Sequence, residues 1–221
     1  NKLIDGGLVS DAAEAQTMVK AALGITSTVD LTSFDPVEAA VSANSATAAI
    51  GVEIAAKGVV VQNLVVQAAA AVKAAGDLGW GSSTSDVYKT LATQINGLSG
   101  AELMPDTNTP TQNITALTNL VEGAAQKAGL SGADLTEVQE VADEVASVMY
   151  EGMTQLQSAV NTSVNSVSAL VNMAEAASVA QGNSATSIEN AVDAIEADAS
   201  DTAQLSGLVG AYSGGSLEAA L

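Results

Sequence analysis

Apolar residues recur at three- and four-residue steps along most of this chain, which is the periodicity of amphipathic α-helices. The clearest run lies in residues 45–75, and its apolar stripe comprises Ile50, Ile54, Val61, Val65, Ala68 and Val72, widened by Val59, Val60, Leu64 and Val66. A helix that is apolar on most sides is buried on most sides. We therefore predict a central core helix here. Its most apolar stretch, residues 58–72, is too short and too often interrupted by amides for a bilayer span.

A second long run begins at Thr136, which forms a capping-box pattern with Gln139. The run keeps helical spacing through Val138, Val141, Val145, Val148, Met149, Leu156, Val160, Val164, Val167, Leu170 and Val171. It predicts a helix over residues 136–180, about 65 Å long if continuous. Gly152 marks the place for a kink, and Gly182 with Asn183 marks the end.

Shorter helices are punctuated by their own start and stop signals. Gly24 ends a helix over 10–23, while Asp35 and Pro36 supply an N-cap and a first helical residue. Further short helices are predicted at 86–96, 114–128, 187–197 and 202–212, and a Gly- and Ser-rich loop at 77–85. No segment alternates with period two. We predict an all-α, multi-helix bundle with two long helices (about 45–75 and 136–180). Residues 1–221 form a single helical domain, with a sub-bundle boundary in the loop 101–113.

Charge narrows the range of partners. The chain has 25 acidic residues against six Lys and no Arg, a formal net charge of −19, and residues 128–221 contain no basic residue. Nucleic-acid binding depends on Lys and Arg that neutralise phosphates, so this composition argues against it. It also disfavours adhesion to an anionic membrane surface. A strongly acidic surface favours solubility and collects divalent cations.

The amino-acid composition excludes the catalytic mechanisms that depend on His or Cys. Without His and Cys there is no Ser-His-Asp or Cys-His arrangement and no disulfide framework. Carboxylate pairs such as Asp143–Glu144 could support a hydrolase, but they are typical of the solvated face of an acidic helix. Tyr88–Lys89 has no Ser–Lys motif around it. We therefore expect no enzymatic activity and no catalytic residue.

Calcium is the candidate small ligand, because it prefers several carboxylate and carbonyl oxygens. Asp193, Glu196, Asp198 and Asp201 cluster near a predicted helix end and are the candidate ligands. They lack the loop spacing and glycine of an EF-hand, and helix capping by Asp201 with otherwise solvated acids is the favoured alternative. Asp30 and Asp35 flank a loop and are weaker candidates, since Asp35 is better explained as a cap. No other cofactor is expected.

The first third of the chain resembles a known kind of bacterial segment. It carries a Gly7–Leu8–Val9–Ser10 turn, an Ala-rich helix ending in Ala22–Leu23–Gly24, the step Val29–Asp30–Leu31, the Asp35–Pro36 start and a long Ala/Val helix. This order is similar to a helical region of large secreted, repeat-rich bacterial surface proteins and adhesins with cadherin-like or calcium-binding repeats. The resemblance implies secretion and a structural or adhesive role, and it brings no catalytic residue.

Two functions follow as expectations. The first is a non-catalytic structural or adhesion module of a larger extracellular or cell-surface protein, which packs its helix faces against copies of itself or neighbouring domains. The alternative is a bundle that binds calcium or a small apolar ligand between its helices. The start at Asn1, without Met or a signal peptide, is expected for a processed protein or an excised domain.

Overall fold

The computed structural model describes residues 2–97, 104, 110–161, 163, 165–197, 207, 209 and 210. All regular structure in these ranges is helical, which confirms the all-α prediction. The helices are α1 (Lys2–Asp5), α2 (Ala12–Ala22), α3 (Pro36–Ala40), α4 (Ser45–Ala75), α5 (Trp80–Gly97), α6 (Pro110–Lys127), α7 (Ala133–Asn161), α8 (Ser166–Val179) and α9 (Ala185–Ala197), with a π-helical turn (Ala180–Ser184) between α8 and α9.

The start signals near the N-terminus are confirmed. The Asp35 carboxylate accepts hydrogen bonds from the backbone N–H groups of Val37 and Glu38, and Pro36 occupies the first helical position of α3. Asp11 and Asn44 cap α2 and α4 in the same way. Gly24, which follows α2, has a φ of 61°, a conformation that glycine adopts without strain.

The predicted central helix is α4. Its C-terminal half is the centre of the bundle, since Leu64, Ala68–Ala71 and Val72 are completely or almost completely buried. α4 contacts α3, α5, α6, α7, α8 and α9. Most buried apolar residues form one cluster that extends from Leu23 to Ile195, and a smaller cluster near the N-terminus comprises Leu3, Val9, Ala15 and Ala92. α4 therefore joins helices from both sides of the 101–113 segment. That this segment separates two sub-bundles stays a prediction, and of its residues only Met104 and 110–113 are described.

The second long helix is shorter than predicted. α7 ends at Asn161 and α8 begins at Ser166, so residues 136–180 are not one helix. The Ser163 hydroxyl donates to the carbonyl of Ala159, and Asn165 accepts from the backbone N–H of Ser168. Side chains of this kind compete with the helix for backbone groups. The break therefore falls in this polar stretch, whereas the expected kink site, Gly152, is buried within α7.

Several predicted boundaries were also wrong. α7 begins at Ala133, so Thr136 lies in its first turn and donates to the carbonyl of Gly132 instead of capping. α5 begins at Trp80, inside the predicted 77–85 loop, and α6 begins at Pro110, inside the predicted 101–113 loop. The helix does not end at Gly182, because the π-helical turn leads directly into α9. The predicted 202–212 helix lies mostly outside the described residues.

Candidate functional site

The N-terminal half of α4 is apolar but incompletely covered. By length and composition α4 is the one helix in the described ranges that could cross a membrane, yet only 28% of its most apolar 18-residue window is buried. Ile50, Val52 and Ile54 are only partly buried, in contrast with the fully packed residues 68–72. Two cavities flank this half of the helix. They are the candidate functional site.

The first cavity, here called the α3–α8 cavity, has a volume of 630 Å³. Its wall is apolar except for Lys57 and Gln62, and the chain's single Phe, Phe34, contributes to it. The remaining lining residues are Leu23, Ile25, Leu31, Pro36, Val37, Ile54, Ala55, Gly58, Val59, Leu170, Met173 and Ala174. A concave apolar surface of this size is within the range of ligand and docking pockets.

Exposed valines lie on or next to α3 and α8, the two helices that contribute Val37 and Leu170 to this cavity. Val37 on α3 and Val41, the residue that follows this helix, are 57% and 59% exposed, and Val167 and Val171 on α8 are 55% and 49% exposed. α3 contacts α8, and Val37 lines the cavity together with residues of α8. We call these four residues the valine patch. Val167 and Val171 keep the helical spacing of the predicted run, but the side of α8 that is buried carries Ala169 and Met173.

A close helix contact holds α3 in place. The backbone of α3 lies directly on Gly51 of α4: a β-carbon at position 51 would be 2.3 Å from the backbone nitrogen of Ala40 and 2.7 Å from the carbonyl oxygen of Pro36. Glycine thus permits a contact between helix backbones that no other residue would allow. Ala39 and Ala40 are buried in this contact, so the outward face of α3 presents Val37.

Acidic residues lie at the edge of the valine patch. Glu38 is adjacent in sequence to Val37, and Glu175 is one helical turn beyond Val171. Both are exposed, and neither takes part in an ion pair within the described part of the chain. The patch therefore combines an apolar centre with a negative edge, and like-charged surfaces will approach it more readily at high ionic strength.

The second cavity, here called the α7–α8 cavity, lies between α4, the end of α7 and the start of α8, and its volume is 930 Å³. Its floor consists of buried apolar side chains: Leu23, Val60, Leu156, Ala169 and Met173. Its mouth carries amides and hydroxyls from Thr154, Gln157, Ser158, Asn161, Ser163, Asn165 and Ser166. The remaining lining residues are Gly24, Ala49, Val52, Glu53, Ala56, Lys57, Val160 and Met104.

One ion pair lies between the two cavities. The Lys57 ammonium lies 2.9 Å from Oε1 of Glu53 and donates to the carbonyl oxygen of Gly24 at 2.8 Å. Lys57 lines both cavities, and its side chain is 19% exposed. Glu53 also lines the α7–α8 cavity and compensates this charge there, so the described lining residues of that cavity have no net charge, whereas Lys57 is the one charged residue among those that line the α3–α8 cavity.

Of the four candidate calcium ligands, two lie in the described part of the chain. Asp193 is exposed on α9, and Glu196 belongs to the last turn of that helix. Asp198 and Asp201 lie outside the described residues. Among the residues that are described, no group of three or more His, Cys, Asp or Glu side chains is placed to hold a metal ion. The calcium site therefore stays a prediction.

Other candidate carboxylates have local partners. Asp35 caps α3, and Asp30 accepts hydrogen bonds from Thr32 and Gln16, where the Thr32 contacts lower the pKa of the Asp30 carboxyl. Asp143 on α7 is exposed and accepts from Thr118 across to α6. Such arrangements are those of caps and solvated helix faces.

The predicted Trp80 loop has become the start of α5, and Trp80 is 41% exposed. The Lys73 ammonium lies 5.3 Å from the centre of its ring and 2.7 Å from Oε2 of Glu189. Lys73 thus connects α4 to α5 and α9. The tryptophan rests against a structural lysine and borders neither cavity.

Comparison with known proteins identifies no relative. No protein-family model, no curated protein and no solved structure matches this chain.

The charge surplus predicts that added salt stabilises the protein. The described ion pairs engage only Lys57, Lys73 and Lys89, so carboxylate repulsion opposes folding and is screened by salt. Raising NaCl from about 0.05 M to 0.5 M is expected to raise Tm by about 2–4 °C, the shift for ~1 kcal/mol in a chain of this size.

Calorimetric scans would check this prediction, and a lower Tm in high salt would contradict it. Calcium chloride at matched ionic strength extends the test to the calcium candidates. An additional rise that Asp201→Ala removes would support calcium binding at the cluster, whereas equal curves in the two salts would oppose it.

Proposed function

We propose that this chain is a non-catalytic helical module of a larger extracellular protein, and that it works by packing the valine patch against an apolar helix of a second copy or a neighbouring domain. The observation that carries this proposal is the valine patch itself, four half-exposed valines on or directly next to two touching helices that line an apolar cavity. Apolar surface of this kind on an otherwise charged protein is typical of interaction sites.

The patch has the properties of a helix-docking surface. Valine has little side-chain freedom to lose, because its branched β-carbon restricts χ1. Complete burial of a valine contributes about 1.5–3 kcal/mol, and these four residues expose about half of their surface. The adjoining 630 Å³ cavity can receive a side chain from the partner helix. An amphipathic helix laid into an apolar groove is a common form of protein recognition.

The extracellular assignment rests on other features. The chain has no Cys and a net charge of −19, and its first third resembles helical regions of secreted surface proteins. A highly acidic surface keeps such a module soluble and prevents indiscriminate association. With repulsion dominant over most of the molecule, contact is favoured only where apolar surface is exposed.

The proposal is tested with the double variant Val167→Ser/Val171→Ser. The wild-type chain is expected to self-associate reversibly with rising concentration in 0.5 M NaCl, where repulsion between the acidic edges is screened, and the variant is expected to be at least about tenfold weaker, a change of about 1.4 kcal/mol. Light scattering and analytical ultracentrifugation measure the association, and binding of labelled protein to a surface coated with unlabelled chain gives a second readout.

The matched control is Tyr88→Ser, which removes an apolar side chain of 41% exposure from α5, away from the patch. The control should associate like the wild type. A wild-type chain that stays monomeric and does not bind the coated surface would refute the proposal, as would equal losses in the two variants.

A further inference from the structure

The α7–α8 cavity suggests a second property that does not depend on the valine patch. One wall of this cavity is a continuous stripe on α4, with Ala49, Val52, Ala56 and Val60 at three- and four-residue steps. Two of these four side chains are only methyl groups, and they leave the space that a larger residue would fill. Opposite them, Leu156 of α7 and Met173 of α8 are almost completely buried. The interior of the cavity is therefore apolar.

The mouth is polar but uncharged. Gln157 and Asn161 lie one helical turn apart on the last turns of α7, and both are exposed. Neither side chain makes a hydrogen bond to another residue in the ranges that the structure describes. The nearby Ser163 and Asn165 are engaged in the α7–α8 turn, which fixes this side of the mouth. Two amides thus remain available to donate to and accept from a ligand.

The charged residues around the cavity disfavour the binding of an ionic ligand. Lys57 and Glu53 are the charged side chains among its described lining residues, and they neutralise each other at 2.9 Å. The net charge of −19 disfavours an anionic ligand in addition. A cation would have to be desolvated next to Lys57. The volume of 930 Å³ lies within the range of small-molecule sites, which are mostly apolar with a few polar groups.

From these features we infer that the α7–α8 cavity binds an uncharged amphipathic small molecule, with its apolar body on the α4 stripe and a hydroxyl or amide end at Gln157 and Asn161. The apolar body replaces water against the uncovered half of α4. The polar end satisfies the two amides at the mouth.

The test compares three probes with the same ten-carbon chain and different ends: monodecanoylglycerol, decanoate and decyltrimethylammonium, each below its micelle concentration. Isothermal titration calorimetry on the full chain is expected to show saturable binding of one monodecanoylglycerol, and binding of either ion at least about tenfold weaker. The double variant Gln157→Leu/Asn161→Leu should weaken binding of the glyceride and reduce its preference over the two ions.

Variants that fill one cavity at a time locate the ligand. Ala56→Phe fills the α7–α8 cavity and should abolish binding, and Ala49→Phe does so from an exposed position where folding is not at risk. The matched control is Ala174→Phe, because Ala174 lines only the α3–α8 cavity. It should bind like the wild type, as should Val167→Ser/Val171→Ser.

Three results would overturn the inference: no saturable binding of the glyceride, equal binding of all three probes, or loss of binding in Ala174→Phe but not in Ala49→Phe. None of them bears on self-association through the valine patch, which is measured without ligand. The two proposals can therefore fail separately.

Discussion

Gly51→Ala is expected to destabilise the protein by about 1–3 kcal/mol, although alanine is the better helix former. The new β-carbon would lie 2.3 Å from a backbone nitrogen and 2.7 Å from a carbonyl oxygen of α3. Backbone atoms cannot rotate away as a side chain can, so α3 must move as a unit. Because α3 contains Val37 and is followed directly by Val41, the variant is also expected to weaken self-association through the valine patch.

Gly58→Ala is the matched control, seven residues further along α4. A β-carbon there has no neighbour within 4 Å. This variant is expected to stabilise the protein by up to about 1 kcal/mol through helix propensity alone. Urea unfolding of both variants, followed by circular dichroism, gives the two signs. A stabilising Gly51→Ala would mean that α3 does not pack on α4 as described.

Asn63→Leu is expected to stabilise the protein by about 1–3 kcal/mol, an unusual direction for a core substitution. Asn63 is 1% exposed in the centre of α4, and neither its Oδ1 nor its Nδ2 has a hydrogen-bond partner in the described part of the chain. Leucine has a similar size and removes both unsatisfied atoms. Its neighbour Leu64 is already fully buried among apolar residues.

Asn113→Leu is the control for this substitution. Asn113 is also 1% exposed, but its Nδ2 donates to the carbonyl of Met104 at 2.6 Å. The same change there leaves a carbonyl without its donor and is expected to destabilise the protein by about 1–3 kcal/mol. Chemical unfolding of Asn63→Leu and Asn113→Leu measures the free energy of unfolding of each variant relative to the wild type. If Asn63→Leu loses stability to the same extent, Asn63 must be satisfied by a buried water molecule.

The features that were predictable from sequence are those that depend on neighbouring residues. The helix start at Asp35–Pro36 depends only on the Asp35 side-chain oxygen and the Pro36 ring, and the apolar stripe of α4 repeats from Ile50 to Val72, about six helical turns. The end of α7 was missed because the apolar spacing continues through Val164 to Leu170. The break falls where the side chains of Ser163 and Asn165 form hydrogen bonds with backbone groups. The spacing of apolar residues alone does not reveal such competition.

The candidate site was much less predictable. A cavity forms where the side chains of helices that are distant in sequence do not fill the space between them. Periodicity indicates that Val167 and Val171 are apolar, but not which face of α8 meets α4. The Lys57–Glu53 pair follows from its four-residue spacing, whereas the Lys57 contact with Gly24 depends on how α2 packs. The close approach at Gly51 leaves no signal in a single sequence beyond the glycine itself.

The π-helical turn at Ala180–Ser184 has a consequence for which sequence lengths this fold accepts. The buried residues of α8 (Ala169, Met173, Ala176, Ala177 and Val179) and those of α9 (Ala185, Ile188, Ala191, Val192 and Ile195) would point about 100° apart on one regular helix, which corresponds to about one residue. The wide turn absorbs this extra residue. The π-helical turn is thus equivalent to a one-residue insertion that the continuous helix from α8 to α9 accommodates. Deleting Gly182 is therefore expected to give a regular helix that still presents the apolar side of α9 to α4, whereas the same deletion within α9 itself would rotate the residues beyond it by about 100°.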